Sequence, residues 1–383
     1  MRILFVVPRY GEEAEGDVPA RSRALAEGLA ARGHEVEVLT TDALDPVTWE
    51  GVLSPGVGEL GRVRVRRFPV EPPREGSGTA GATTAIEVLG PVAPRLLAHL
   101  RRHARDADAV VFFELRAWTT GAGLASHPGR CVVVPAGPLD GASFDAIARP
   151  AFARARAIAF DTPEERDVAT YRLGRELPAG VVVGRGVAAG APVARPTESS
   201  AEATRGLGSY VAFAGRLEAQ DGCALLVERF LRFQRDGRSR LTLVLLGRGR
   251  VELHESPHVR TLGDLPEPEV RSLLGGARAL VLPSPREVLA EGALGAWSLG
   301  RPLLVDARSE VMRRLVARVG GGLSFRGYDE LAACLELLEA EPTLAEAMGQ
   351  AGRRAVVDEH AWATVLLRWE ELLERVGREG VAA

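Results

Sequence analysis

Residues 281–305 have the residue types and the spacing that best fit a ligand-binding site. An apolar run is broken by prolines, a helical pattern starts near Glu287, and Gly-Arg-Pro at 300–302 ends it before a second apolar run. This order predicts a βαβ unit whose helix begins at the carboxyl edge of a parallel sheet. A helix N-terminus at such an edge attracts anions through its free N–H groups. A βαβ unit with only a structural role fits the same pattern.

The composition excludes several classes of protein. The chain has 383 residues, of which 46% are hydrophobic and 26% charged, and its net charge is −3. These values predict two globular domains, no nucleic-acid partner and at most peripheral membrane contact. Three scattered cysteines, with no apolar run of about 18 residues, predict a cytoplasmic protein without a disulfide framework or a zinc motif. The bias toward Ala, Gly and Arg suggests a bacterial genome rich in G and C.

The remaining elements alternate between strands and helices, which predicts an α/β fold with parallel sheets. Residues 1–188 form the first predicted domain, and 189–208, rich in Ala, Pro, Ser and Thr, form a linker. A second α/β domain follows at 209–360. Residues 361–383 continue a helical pattern in which large apolar residues recur at helical spacing. These residues are Trp362, Leu366, Trp369 and Leu373.

Several motifs resemble those of retaining group 1 (family 4) glycosyltransferases, which have the GT-B fold. Residues 283–287 match the family's P-S-x-x-E, residues 296–302 match A-x-x-x-G-x-P, and Arg216 lies in the G-R motif of residues 215–216. Residues 162–166, Thr-Pro-Glu-Glu-Arg, also match closely. The resemblance implies two Rossmann-like domains facing a cleft, with a nucleotide-sugar site on the second. It further implies that the last helix crosses back to pack on the first domain.

The resemblance assigns roles to individual residues. Arg216 would hold the donor diphosphate and Glu287 the donor sugar, and both are candidate catalytic residues. Backbone N–H groups of Val288 and Leu289 would bind phosphate. Glu291 would partly replace a glutamate that grips the ribose.

Further contacts with the substrates are predicted for two other segments. Leu262 and Gly263 would contact the base, and the loop at Gly16 and Asp17 would approach the substrates. Neither a metal ion nor a cofactor is expected.

Four family positions are altered. The second glycine of a Gly-Gly pair, a histidine, a lysine and the second glutamate are replaced by Asp17, Pro138, Asp221 and Gly295. The chain contains no lysine, so no shifted alignment restores the basic pair. A carboxylate at about 4 Å from a diphosphate would oppose binding by roughly 1–4 kcal/mol. Three arginines are candidate replacements for the lysine, namely Arg185, Arg248 and Arg286.

Two hypotheses follow from this mixture of kept and altered positions. The first is an enzyme of polysaccharide biosynthesis that transfers a sugar, with retention and without metal, to a glycan, lipid or small-molecule acceptor. The second is a catalytically inactive pseudo-glycosyltransferase that binds a partner glycosyltransferase or a glycan. A dinucleotide oxidoreductase is not favoured, because no G-x-G-x-x-G follows the first strand.

Overall fold

The computed structural model contains two compact α/β units. One unit comprises Met1–Gly186 and Trp362–Ala383, and the other comprises Val187–Ala361. The structure describes residues 1–71, 90–126, 129–137, 142–174, 178, 180–187, 206, 208–217, 222–237, 239–249, 256–286, 289 and 291–379. Their side chains are described as well, except at residues 126, 142–146, 291 and 379.

The first unit is built on an eight-stranded sheet. Its strands are β1 (Arg2–Val6), β2 (Glu35–Thr41), β3 (Gly56–Leu60), β4 (Val63–Phe68), β5 (Ala109–Phe113), β6 (Cys131–Val134), β7 (Ala157–Phe160) and β8 (Gly180–Val182). Their order is β3-β4-β2-β1-β5-β6-β7-β8, and all pairs are parallel except β3 with β4. Strands β1, β5, β6 and β7 are almost entirely buried, as expected for parallel strands covered on both faces.

Helices connect the parallel strands of the first unit. They are α1 (Asp17–Ala31), α2 (Pro94–His103), α3 (Trp118–Ser126), α4 (Ala142–Arg154) and α5 (Pro163–Leu173), with a 3-10 turn at Ala104–Asp106. The chain winds outward from β1 to one side of the sheet and then from β5 to the other. The order of strands therefore reverses between β1 and β5, which is where doubly wound sheets bind ligands.

The C-terminal helix, α12 (Trp362–Glu379), packs on the core of the first unit. Leu366, Trp369 and Leu373 are buried against the same core as β1, as the helical spacing predicts. Arg32 and His34, at the turn before β2, bind the carboxylate of Glu370 on α12. The predicted return of the last helix to the first domain is confirmed, and His34 has a structural role there.

The second unit is built on six parallel strands. They are β9 (Tyr210–Ala214), β10 (Thr242–Leu246), β11 (Val259–Gly263), β12 (Leu280–Leu282), β13 (Leu303–Asp306) and β14 (Gly322–Phe325). Their order is β11-β10-β9-β12-β13-β14, so the strand order reverses between β9 and β12. The helices are α6 (Cys223–Arg235), α7 (Glu267–Gly276), α8 (Glu291–Ser298), α9 (Glu310–Val319), α10 (Gly327–Ala340) and α11 (Pro342–Glu359). Two Rossmann-like units, each with this arrangement, confirm the predicted fold class.

The structure contains elements that the sequence patterns do not predict. The described helix after β12 begins at Glu291, whereas the apolar pattern predicts a start at Glu287. The antiparallel hairpin of β3 and β4 is not predicted, because the exposed edge strand β3 has little apolar character.

Candidate functional site

The loops that follow β9 and β12 meet at the carboxyl edge of the second sheet. The two strands pair through Ala212 and Leu280. Gly222, in the left-handed region with φ of 80°, caps the N-terminus of α6, and a Cβ there would lie 2.8 Å from the carbonyl oxygen of Pro283. Glycine thus allows the start of α6 to approach the turn after β12, at the point where the order of strands reverses.

Backbone of three successive strand ends is closely packed beside this point. The N–H of Gly215 donates to Leu246, and the N–H of Gly247 donates to Gly263 at 2.8 Å. A Cβ on Gly247 would collide with the carbonyl oxygen of Gly215. Leu262 and Gly263, the predicted base contacts, therefore lie at the carboxyl end of β11, two strands from β9 and on the same edge as Arg216.

Three exposed arginines follow three neighbouring strands at this edge. Arg248 follows β10, Arg216 follows β9 and Arg286 follows β12. Adjacent strands lie about 4.8 Å apart, so the ends of these three strands span roughly 10 Å along the edge. Arg248 pairs with Asp264 at 2.6 Å, and both side chains are exposed. The edge therefore offers the cationic groups that a diphosphate requires.

A fourth arginine at this edge is not identified by sequence reasoning. Asp306, at the end of β13, is buried, and its carboxylate accepts bonds from Nε and Nη2 of Arg308 at 2.9 and 2.6 Å. These hydrogen bonds raise the pKa of Arg308 and fix its guanidinium. An aspartate at the end of a buried strand is the signal that indicates this position.

The structure describes only some of the remaining predicted site residues of the second unit. Glu287, Val288 and the altered position Asp221 lie outside the described residues. The side chain of Leu289 is fully buried in the core of the unit. Glu291 is the first residue of α8, and its side chain also lies outside the description.

Gly295 lies in α8 with open space beside it. A Cβ built on this glycine meets no atom of the described residues within 4 Å. The position is half-buried, and its backbone carbonyl accepts the hydroxyl of Ser298 at 2.7 Å. Among the described residues, neither packing against a Cβ nor a positive φ therefore requires glycine here.

In the first unit, Gly16 and Asp17 open helix α1. Gly16 is its N-cap, with φ of 111°, and Asp17 is its first residue. The carboxylate of Asp17 pairs with Arg185, which is buried and also lies 3.8 Å from Asp161. Arg185, one of the three candidate replacements for the missing lysine, is therefore committed to carboxylates of its own unit.

The pair at Asp17 is part of a larger buried network. Two nitrogens of Arg21 bind the carboxylate of Asp161, one of them at 2.8 Å, and both side chains are 6% exposed. Glu165 accepts the backbone N–H of Asp161, and its own N–H donates to Thr162, the N-cap of α5. Burial, followed by the charge of Asp161, raises the pKa of Glu165 to about 8. Burial also raises the pKa of Asp161, against the opposing charge of Arg21.

The raised pKa of Glu165 makes stability fall as pH rises. Between its ordinary value of 4.5 and about 8, Glu165 is protonated in the folded chain and ionised in the unfolded chain. The folded state then binds more protons, so the free energy of unfolding decreases with pH across this window. We expect Glu165→Gln, measured by denaturant unfolding, to make that decrease shallower. Equal slopes for the variant and the wild type contradict this assignment.

The described residues hold neither a metal-binding cluster nor a membrane-spanning helix. Within these residues no group of three or more His, Cys, Asp or Glu side chains is placed to hold a metal ion. No helix in the described part of the chain is long and apolar enough to cross a membrane.

Comparison by sequence gives a family match within the second unit. Residues 208–339 match the family model described as "Glycosyl transferases group 1". No curated protein sequence is a significant match to the chain.

Comparison by structure covers nearly the whole chain. Sucrose-phosphate synthase from Thermosynechococcus elongatus is 18% identical with a TM-score of 0.73, and 98% of each chain is covered. HepE from Anabaena, solved with UDP, is 16% identical with a TM-score of 0.70, covering 98% of this chain and 100% of its own. WaaG, a glycosyltransferase of lipopolysaccharide biosynthesis, is 15% identical with a TM-score of 0.65, covering 98% and 99%. At these identities the likeness establishes the fold.

Proposed function

Because residues 208–339 are a group 1 glycosyltransferase domain within a GT-B fold, we propose that the chain transfers a sugar from a nucleoside diphosphate sugar to an acceptor hydroxyl. The observation that carries this proposal is the set of exposed arginines at the reversal of strand order in the second unit. HepE, one of the similar structures, is solved with UDP and with UDP-glucose, which supports a nucleotide sugar as the donor here.

Arg216 is the proposed anchor of the diphosphate. It follows β9, whose end lies beside the turn after β12, and it is exposed to solvent. When the bond between the sugar and the phosphate oxygen breaks, negative charge builds on the departing phosphate. A fixed cation that contacts this charge stabilises the transition state more than the ground state. Arg286, and the N-terminus of α6 with its side-chain-free cap Gly222, would add positive potential.

The other proposed contacts follow from the resemblance. Glu287 would bind donor sugar hydroxyls, and backbone at Val288 and Leu289 would donate to phosphate. Leu262 and Gly263 lie at the same edge and would contact the base. We include in this proposal transfer with retention, independence of metal, a glycan, lipid or small-molecule acceptor, and cytoplasmic localisation.

Two observations favour the alternative of an inactive binding subunit. Gly295 removes the carboxylate that would grip the ribose, and Arg248 is already paired with Asp264. A chain with these features would bind a nucleotide weakly and act through a partner glycosyltransferase or a glycan.

Gly295→Glu distinguishes the two functions. A Cβ at residue 295 meets no atom of the described residues, and glutamate is roughly 0.5–1 kcal/mol more favourable than glycine within a helix. A restored hydrogen bond from a ribose hydroxyl to a carboxylate is worth about 1.5–3 kcal/mol. If the donor site is retained, we expect nucleotide affinity to rise about 10- to 100-fold. Release of UDP or GDP from the sugar nucleotides, measured with both proteins, is the readout of turnover.

The matched control is Gly295→Ala, which has the helix-favouring side chain without the carboxylate. It should gain stability and leave affinity unchanged. Nucleotide release by the wild type supports the enzyme. Tighter binding in Gly295→Glu without release from either protein supports the inactive subunit, and no binding by either protein contradicts a retained donor site.

A further inference from the structure

The row of arginines at the carboxyl edge of the second sheet continues past β12. Arg308 follows β13 and Arg326 follows β14, and both residues are exposed. The ends of β9 and β13 lie about 10 Å apart along the edge, because adjacent strands are about 4.8 Å apart. A diphosphate at the reversal of strand order, between β9 and β12, accounts for Arg216 and Arg286 but not for these two residues. Cations at this end of the row favour a ligand with a further negative charge.

Arg308 lies on a short turn whose backbone is hydrogen-bonded on both sides. The N–H of Ala307 donates to the carbonyl oxygen of Phe325, at the end of β14, at 2.8 Å. The N–H of Ser309 donates to the carbonyl oxygen of Asp306 at 3.0 Å, and Ser309 is also the N-cap of α9. The turn is therefore tied to the neighbouring strand and to the next helix, so it holds the backbone of Arg308 in a defined position.

The guanidinium of Arg308 is oriented by the carboxylate of Asp306. Nε lies 2.9 Å from Oδ1 and Nη2 lies 2.6 Å from Oδ2, so the edge of the guanidinium that carries Nε and Nη2 faces the carboxylate. The side chain of Asp306 is 1% exposed, whereas that of Arg308 is 46% exposed. Among the described residues, Nη1 of Arg308 has no hydrogen-bond partner. The second edge of the guanidinium, formed by Nη1 and Nη2, is therefore left for a ligand.

The order of strands determines which part of the donor would reach Arg308. In the proposed function the base contacts the end of β11, and the diphosphate lies at the ends of β9 and β12. The diphosphate joins the nucleoside to the sugar, so the sugar would extend away from β11. Beyond β12 the next strand along the edge is β13, which carries Arg308. Arg308 is therefore placed at the sugar end of the donor rather than at its base.

Building on the proposed function, we propose that the transferred sugar is a uronic acid, whose carboxylate accepts hydrogen bonds from Nη1 and Nη2 of Arg308. A carboxylate has two oxygens in one plane, which match two parallel N–H groups of a guanidinium. A neutral hexose has a hydroxymethyl group at the same carbon, with one oxygen and no charge. Arg326, one strand further along the edge, adds positive potential at this end. The carboxylate selects the sugar and takes no part in the bond changes of transfer.

The test compares sugar nucleotides that differ only at C6 of the sugar. Calorimetric titration of the full chain with UDP-glucuronate and UDP-glucose, and with GDP-mannuronate and GDP-mannose, gives a ratio of dissociation constants for each pair. In the pair with the accepted base, we expect the uronate to bind at least about tenfold more tightly than the neutral sugar nucleotide. Binding of a neutral sugar nucleotide as tightly as its uronate overturns this proposal and leaves the proposed function in place. Absence of binding by all four compounds, and by UDP and GDP, overturns both.

A double variant that keeps the net charge assigns the preference to Arg308. Asp306→Asn combined with Arg308→Ala removes the ion pair without leaving a buried carboxylate unpaired. Asparagine at residue 306 can still accept the backbone N–H of residue 308, which donates to Oδ1 of Asp306 at 2.9 Å. We expect the two members of the pair to bind this variant with dissociation constants within about twofold of each other. An equal loss of affinity for both members would place Arg308 on the diphosphate and contradict the proposal.

Two single variants make the result specific. Arg308→Lys keeps the positive charge but not the pair of parallel N–H groups, so its preference for the uronate should lie between those of the wild type and the double variant. Arg318→Ala removes an arginine in the last turn of α9, away from the carboxyl edge of the sheet, and should keep the full preference. A preference lost equally in Arg318→Ala would mean that the charge of the whole unit selects the uronate, and the proposal would be wrong.

Discussion

Replacing Arg216 with alanine is expected to weaken binding of the donor nucleotide by about 10- to 100-fold. A hydrogen bond to a charged group is worth about 1.5–3 kcal/mol, and Arg216 is the proposed direct contact with the diphosphate. The loss should be largest at low salt, because solvent-exposed charges are screened over about 10 Å at 0.1 M ionic strength. Displacement of a fluorescent nucleotide measures the dissociation constant of each protein.

The control for this prediction is Arg235→Ala. Arg235 is exposed at the C-terminal end of α6, the end opposite the Gly222 cap, so it lies away from the carboxyl edge of the sheet. Its removal changes the net charge equally and should leave affinity unchanged. Similar losses in both variants would mean that the charge of the whole chain, rather than the contact of Arg216, governs binding.

Replacing Arg21 with methionine is expected to destabilise the first unit by roughly 3–5 kcal/mol. The side chains of Arg21 and Asp161 are both 6% exposed, and the arginine binds the carboxylate through two nitrogens. Its removal leaves a buried carboxylate whose remaining close cation, within the described part of the chain, is Arg185 at 3.8 Å. For a unit of this size, such a loss lowers the melting temperature by about 10 °C, which calorimetry of the full chain would detect.

Two comparisons test the cause of that loss. Adding Asp161→Leu to Arg21→Met removes the unpaired charge and should recover part of the stability. Arg32→Met breaks an ion pair of similar geometry with Glu370, but at an exposed position, and should cost much less. If Arg32→Met destabilises as much as Arg21→Met, burial of the charge is not the cause.

Local sequence patterns predict the parts of the fold that depend on neighbours along the chain. Thr162 caps α5 by accepting the N–H of Glu165, which the order Thr-Pro-Glu-Glu indicates. The spacing of Leu366, Trp369 and Leu373 correctly predicts the buried face of α12. The Gly-Arg sequence at 215–216 correctly predicts a turn at the end of a strand.

Features that depend on distant parts of the chain are not predicted. The left-handed backbone of Glu114 and Ala136 has no signal in residue type, because glycine usually occupies such positions. By sequence, Arg185 is a plausible phosphate ligand. In the fold it pairs instead with Asp17, which lies over 150 positions earlier in the chain. Arg308 becomes part of the arginine-rich edge only because β13 lies next to β12 in the sheet.

The most direct test of the proposed donor site is calorimetric titration of the wild-type chain with UDP and with GDP at low salt. The arginines at the carboxyl edge of β10, β9 and β12 predict micromolar binding of at least one of them, weakening as salt is added. Absence of binding by both nucleotides, and by their glucose and mannose derivatives, would contradict a functional nucleotide-sugar site in the second unit.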